Sequence, residues 1–276
     1  MESRLTFFRQ SGWLVVATVA SGIFMTATQI VANRWMEPGE WGLWLALLRI
    51  YLLMSIPSAG LQVIFAQQTA AAVSPELQHR LARTVRTTLK ATFVFWFAIA
   101  LVAFVGTPYW MGLLKITRPA AWHCTLLIGL ASLWLPLVRG ILQGQQNFLG
   151  LGWVLMLDGV GRLVMVWIIL ALGGQAAGGM VGALCGTGLA IGLGGWLIRG
   201  LLRVPGEAVD WSPWLRQTVP LTLAIGSVQF MMIVDVPYIQ SVFPASQTAT
   251  GYMPAALIGL AMTTMLLPMS AVMFPK

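Results

Sequence analysis

Four ionisable residues lie within stretches of this sequence that are otherwise apolar, and they are the side chains best placed to do chemistry. Arg49 lies in the first half of one stretch, and Asp235 lies in the second half of another. Asp158 and Arg162 share a third stretch at a spacing of four, so on a helix they face the same side and can pair. If these stretches cross a membrane, each charge costs at least ~2.5–3.5 kcal/mol, which indicates a functional reason for keeping it.

Each candidate also has a structural interpretation that the sequence leaves open. Arg49 could extend toward a lipid headgroup, and Asp235 could pair with an arginine of another helix. Asp158 and Arg162 could neutralise each other as a purely structural pair. Gln62, in the same stretch as Arg49, adds an uncharged polar group that we count among the binding candidates.

The motifs that carry chemistry in soluble enzymes are missing from the sequence. No metal-ligand spacing, nucleophile elbow or phosphate-binding loop occurs, so we predict no enzyme, no metal site and no cofactor. One helix instead carries small residues at a spacing of four, which predicts a smooth ridge for close helix packing; they are Gly174, Gly178, Gly182 and Gly186.

The composition leaves too little charge to cover a water-facing surface. The 276 residues are 58% hydrophobic and 9% charged, with a mean hydropathy of +0.82, whereas soluble domains carry about 25% charged residues. This excludes a disordered chain, a disulfide scaffold and an ordinary soluble enzyme. The net charge of +8 comes from basic residues spread singly between apolar stretches, which argues against nucleic-acid binding and is typical of cytoplasmic loops.

Windows of about 20 apolar residues, the length that crosses a bilayer core, predict an all-α polytopic membrane protein with about eight spans. Most lysines and arginines fall on the side that holds both termini, which places both termini in the cytoplasm. The predicted spans are Gly12–Ala32, Trp41–Ala66, Ala91–Leu114, Ala121–Val138, Phe148–Leu172, Ala176–Ile198, Leu215–Val242 and Gly251–Phe274.

The sizeable polar loop Glu76–Lys90 predicts an amphipathic helix at the cytoplasmic membrane surface, because apolar residues recur every four positions with arginines between them. Such a helix is either a lipid-regulatory site or a plain connector. Prolines within or near the spans predict bent helices, which transporters and static bundles both use. They are Pro57, Pro108, Pro136, Pro237, Pro254 and Pro268.

Several motifs are similar to those of a known family. The run from Arg139-Gly140 through Gln143-Gly144 to Phe148 resembles the "RGxLQGxxxF" motif of polysaccharide flippases in the multidrug/oligosaccharidyl-lipid/polysaccharide (MOP) exporter superfamily. Asp158 and Arg162 match the acid and the arginine that follow this motif in that family. Looser matches cover the first hairpin and the seventh helix; they are Glu40-Trp41-Gly42, Gly60-Leu61-Gln62, and Asp235 with Thr250-Gly251-Tyr252.

The resemblance implies one six-helix lobe, residues 1–203, and the first hairpin of a second lobe, residues 204–276. The resemblance implies that a complete member of the family has two six-helix lobes around a central cavity. We therefore expect a C-terminally truncated chain, or one that completes its cavity with a second chain or copy. The implied function is a flippase of the bacterial inner membrane. It would move an undecaprenyl-pyrophosphate-linked oligosaccharide by alternating access, for surface polysaccharide and lipopolysaccharide biosynthesis.

Under this interpretation arginines would offset the lost hydration of the pyrophosphate, because guanidinium pairs with phosphate in two-pronged fashion. We expect Arg49 to make that contact, with Arg162 second and Arg139 at the cytoplasmic mouth. Asp158 would hold Arg162 in place, and Asp235 would bind a coupling proton or sodium ion. Two alternatives stay open, a drug or cation antiporter of the same fold and a non-transporting membrane subunit.

Overall fold

The computed structural model of the chain describes residues 2–116, 118–205 and 211–243, together with 252, 255–256 and 258–259. Throughout that part of the chain the regular structure is helical, which confirms the predicted all-α fold. The helices are α1 (Glu2–Trp35), α2 (Pro38–Met54), α3 (Ile56–Ala71), α4 (Pro75–Val105), α5 (Thr107–Leu114), α6 (Pro119–Gly144), α7 (Phe148–Ala171), α8 (Gln175–Leu197), α9 (Arg199–Arg203), α10 (Trp211–Ile233) and α11 (Asp235–Val242).

Within the described residues, seven helical stretches are long and apolar enough to cross a membrane, and they overlap the first seven predicted spans. The predicted eighth span, Gly251–Phe274, falls almost wholly outside the described residues. Large apolar side chains are more than half exposed on the outer faces of the bundle, among them Val15 and Val19 of α1 and Phe97 of α4. Apolar exposure on this scale marks a surface that faces lipid.

Two of the described spans are interrupted next to a proline. Pro57 lies in the first turn of α3, directly after α2 ends, and Pro237 lies in the first turn of α11, directly after α10 ends. A proline fits there because the first-turn N–H groups have no partner within the helix. Pro108 starts α5 in the same way, whereas α6 continues through Pro136. Pro254 and Pro268 lie outside the described residues.

The polar segment Glu76–Lys90 is not a separate surface helix, contrary to the prediction. It forms the first half of α4, whose 31 residues make a continuous helix about 46 Å long. Leu81 and Val85 are buried in the core, so the apolar face that predicted a membrane-surface helix packs against the bundle instead. The predicted third span is also corrected, because α4 ends at Val105 and the residues after Gly106 form α5.

The core consists of two apolar clusters with a polar layer between them. α7 packs along α1 and α8, and α6 packs against α3 and α8. One cluster contains Trp44 and Val166, and the other contains Phe65 and Val154. Asp158 lies between Val154 and Val166 on α7, so close-packed helices hold its carboxylate in the interior of the bundle.

Two glycines of the Arg139–Phe148 run let α6 approach α3 closely. A Cβ on Gly140 would lie 2.3 Å from the carbonyl oxygen of Gln62, and one on Gly144 would lie 2.4 Å from that of Ala66. Real Cβ atoms do not come this close to backbone oxygens, so a larger residue at either position must push the two helices apart.

Gly140→Ala is therefore expected to lower the free energy of unfolding by about 1–3 kcal/mol, the usual cost of overpacking a tight contact. The matched control is Gly192→Ala in α8, where nothing lies within 4 Å of the added Cβ and alanine is a better helix former by up to ~1 kcal/mol. Thermal unfolding of both variants in detergent measures the difference. Equal melting temperatures would contradict the close contact of α6 with α3.

Candidate functional site

The interior of the bundle holds a buried ionic cluster of Arg139, Asp158, Arg162 and Thr187, called here the Asp158 cluster. Arg139 Nη2 donates to Asp158 Oδ2 at 2.8 Å, and Arg162 Nη2 donates to Asp158 Oδ1 at 3.2 Å. The Thr187 hydroxyl donates to the same Oδ1 at 3.1 Å and accepts from Arg162 Nη2 at 3.1 Å. Asp158 and Arg162 are only 2% and 7% exposed. The predicted Asp158–Arg162 pair is present, and it belongs to a larger group.

Three helices bring the Asp158 cluster together. Asp158 and Arg162 lie one turn apart on α7, Arg139 comes from α6, and Thr187 comes from α8. Gly186 permits this arrangement, because a Cβ there would lie 2.4 Å from the backbone nitrogen of Arg162. Close packing at the glycine ridge of α8 thus brings the hydroxyl of Thr187 next to the ion pair on α7.

Arg139 does not lie in a loop beyond the fourth span, as the sequence prediction had it. α6 continues past the predicted end at Val138 to Gly144, because Gly140 and Gly144 pack its last turns onto α3. Arg139 therefore turns into the bundle and reaches Asp158. Its side chain is still 21% exposed, compared with 8% for Arg162, so Arg139 is the more accessible arginine of the cluster.

The Asp158 cluster carries more positive than negative charge. Arg139 and Arg162 share one carboxylate, and this leaves a formal surplus of one positive charge. Both Nε atoms are buried and lack a hydrogen-bond partner among the described residues. The Tyr51 ring lies 5.8 Å from the guanidinium carbon of Arg162 and adds a cation–π contact. A buried cation with unused donors is chemically suited to bind an anion such as phosphate.

Arg49 forms a separate site where α2 meets the break between α10 and α11. Its Nη1 donates to the carbonyl of Met232 at 3.2 Å, and its Nη2 donates to the carbonyl of Ala256 at 3.3 Å. Met232 lies in the last turn of α10, where carbonyls lack helical partners and the helix dipole favours a cation. Arg49 is 5% exposed, which excludes the alternative that it extends to a lipid headgroup in this conformation.

Asp235 begins α11, one turn beyond Met232. The hydroxyl of Tyr252 donates to its Oδ2. Its Oδ1 is buried and has no hydrogen-bond partner within the described part of the chain. Asp235 is thus hydrogen-bonded to a tyrosine, and the guanidinium of Arg49 on α2 interacts electrostatically with its carboxylate.

The predicted site residues do not converge on one pocket in this conformation. Arg49 and Tyr51 lie two residues apart on α2 and face different ways, since Arg49 reaches α10 and Tyr51 faces Arg162. Gln62 is half-buried on α3, and its backbone forms the close contact with Gly140. The arginines therefore occupy two places, the Asp158 cluster and the contact between α2 and α10–α11.

Sequence reasoning missed one residue of the Asp158 cluster. Thr187 belongs to the Asp158 cluster, but a threonine among glycines gives no signal of an ionic partner. Glu40 accepts a hydrogen bond at 3.1 Å from the N–H of Ala176 in the first turn of α8, where an acid also complements the helix dipole. No group of His, Cys, Asp or Glu within the described ranges could hold a metal ion.

Solved transporters share this fold. The inward-facing conformation of a multidrug resistance MATE family transporter of the MOP superfamily matches with a TM-score of 0.65 at 15% identity, over 85% of this chain and 56% of that one. A MOP superfamily transporter from Pyrococcus furiosus, for which a reversed polarity of the binding pocket suggests a different function, matches with a TM-score of 0.66 at 12% identity, over 92% and 60%.

An outward-facing conformation of a multidrug resistance MATE family transporter matches equally well, with a TM-score of 0.65 at 14% identity, over 91% of this chain and 60% of that chain. No protein-family model and no curated protein matches the sequence. The chain therefore has the fold of MOP superfamily transporters and spans 56–60% of the length of these three.

Proposed function

We propose that this protein moves an anionic lipid-linked oligosaccharide, carried on undecaprenyl pyrophosphate, across the membrane by alternating access. The observation that carries the proposal is the positive surplus of the Asp158 cluster, where two arginines share one carboxylate. Because Arg162 is buried and Arg139 is only partly exposed, an unmatched positive charge here is costly unless an anion pairs with it. The pyrophosphate of such a substrate supplies the missing negative charge, and two-pronged guanidinium contacts offset part of its lost hydration.

Arg49 contributes to substrate binding by exchanging its backbone hydrogen-bond acceptors for phosphate oxygens of the substrate. Both of its hydrogen bonds go to neutral backbone carbonyls, and phosphate oxygens are stronger acceptors than carbonyls for a charged donor. When α10–α11 moves away from α2 during alternating access, these bonds break and the guanidinium becomes free for the pyrophosphate. The proposed substrate-binding residues are Arg49, Arg162, Arg139, Asp158 and Gln62, and the proposed ion-coupling residue is Asp235.

The proposal assigns residues 1–203 to one lobe and residues 204–276 to a second lobe. It places the protein in a bacterial inner membrane, as the family resemblance implies, with both termini in the cytoplasm, an orientation that the distribution of lysine and arginine favours. It also assigns the protein no enzymatic step, since transport by alternating access changes the position of the substrate and not its bonds.

A drug or cation antiporter of the same fold is a second candidate, and Asp235 is the observation that favours it. Its buried Oδ1 has no hydrogen-bond partner among the residues described, and a carboxylate is suited to a cation or a proton. Two of the similar solved structures are multidrug resistance transporters. The charge of the substrate distinguishes the two candidates.

Complementation of a bacterial strain that lacks its surface-polysaccharide flippase tests the proposed function. We expect the protein to restore surface polysaccharide and to leave resistance to cationic drugs unchanged. Increased drug resistance without surface polysaccharide would favour the antiporter. If cells that carry the protein in their membrane show neither surface polysaccharide nor drug resistance, the proposed transport is contradicted.

A further inference from the structure

The first half of α4 carries a basic groove that is distinct from both arginine sites. Arg83, Arg86, Thr87 and Lys90 line this surface groove, which has a volume of about 330 Å³. In the described part of the chain, no ion pair joins its three basic residues to a carboxylate. We propose that this basic groove binds the phosphate of an anionic membrane phospholipid.

The basic groove is held in place by the packing of the other face of the same helix. Leu81, Val85 and Thr88 are buried against the bundle, so the first half of α4 is anchored along its length. Arg86 Nη1 donates to the carbonyl of Leu202 in α9 at 3.4 Å, which engages one of its five N–H donors. A ligand would therefore meet cations that are already positioned.

The exposed apolar surface that continues from the basic groove along α4 indicates that the ligand is a lipid. The helical face that carries Arg83 and Lys90 continues, at spacings of three and four, through Val94, Phe97 and Leu101, which are 65%, 54% and 52% exposed. A phosphate in the groove therefore lies where the lipid-facing surface begins, and acyl chains can follow the apolar stripe. Inorganic phosphate or a nucleic acid would use the cations and leave the stripe uncovered.

Clustered basic residues at the cytoplasmic end of a membrane-spanning helix bind anionic headgroups with about 1 kcal/mol for each cation, or about fivefold in affinity. The test is native mass spectrometry of the purified protein in neutral detergent, titrated with short-chain phosphatidylglycerol. The site variant is Arg83→Gln/Lys90→Gln. The charge-matched control is Arg34→Gln/Arg118→Gln, which removes two exposed cations elsewhere.

We expect the site variant to bind phosphatidylglycerol about 25-fold more weakly than the parent protein, and the control to bind like the parent. Phosphatidylcholine and inorganic phosphate should not compete. Phe97→Ser should weaken lipid binding as well, which separates a lipid from a free phosphate. Equal losses in the two charge variants, or displacement of the lipid by inorganic phosphate, would overturn the proposal.

The conservative variant Arg83→Lys/Lys90→Arg guards against a folding defect, because it keeps both charges. It should bind phosphatidylglycerol within a few-fold of the parent protein. If it loses binding as fully as the glutamine variant, the positive charge of the basic groove is not what holds the lipid, and the proposal fails.

Discussion

Asp158→Asn is expected to lower the free energy of unfolding by about 3–5 kcal/mol, the cost of leaving a buried charge without its partner. The variant keeps the shape of the side chain but removes the carboxylate that Arg139 and Arg162 share. The buried Arg162 guanidinium and the partly exposed Arg139 guanidinium then remain without an anion. Chemical or thermal unfolding of the protein in detergent measures the loss.

Glu76→Gln is the matched control for this prediction, since it neutralises an exposed acid in the first turn of α4 and should change stability by no more than about 1 kcal/mol, the dipole contribution of such an acid. Arg162→Gln in the Asp158→Asn background should cost less than it does alone, because the residues of one network are not additive. A variant Asp158→Asn that unfolds like the parent would show that the cluster is not electrostatically coupled.

Arg49→Ala is expected to abolish transport while leaving insertion into the membrane intact. The variant removes the group that would contact the pyrophosphate, and it leaves the carbonyls of Met232 and Ala256 without their donor, at about 1–3 kcal/mol for each unsatisfied group. Arg49→Lys should retain part of the activity, because it keeps the charge but cannot bind two acceptors in fixed geometry. Complementation of the flippase deletion measures both variants.

Arg34→Ala provides the control for Arg49→Ala, because Arg34 is an exposed arginine in the last turn of α1. It should complement like the parent protein. Complementation by Arg49→Ala at the parental level would remove Arg49 from the proposed binding site and leave it only its contact with α10.

The seven described spans could be predicted from the sequence because a bilayer sets both their length and their composition. The two breaks could be predicted in part, since Pro57 and Pro237 mark where α3 and α11 begin. The continuity of α4 could not be predicted in this way. Its first half is amphipathic and its second half is apolar, and hydropathy windows treat this change of environment as a boundary although the backbone continues.

Among the binding candidates, contacts within one helix could be predicted from the sequence, and contacts between helices could not. Asp158 and Arg162 could be paired from their spacing on one helix, because the geometry of a helix fixes that distance. Arg139, Thr187 and the carbonyl partners of Arg49 could not, since each comes from another helix and depends on how glycine ridges pack. The glycines of the Arg139–Phe148 run form a motif in the sequence, but only the structure shows that they bring α6 onto α3.

Equilibrium binding of undecaprenyl pyrophosphate by the purified protein tests the central claim most directly, namely that the positive surplus of the Asp158 cluster exists to bind an anion. The comparison ligands are uncharged undecaprenol and the lipophilic cation tetraphenylphosphonium. We predict that the pyrophosphate binds at least about tenfold more tightly than the alcohol, and that Arg139→Gln removes this preference, because it cancels the surplus of about one charge. Equal affinity for pyrophosphate and alcohol, or preferred binding of the cation, would contradict the account.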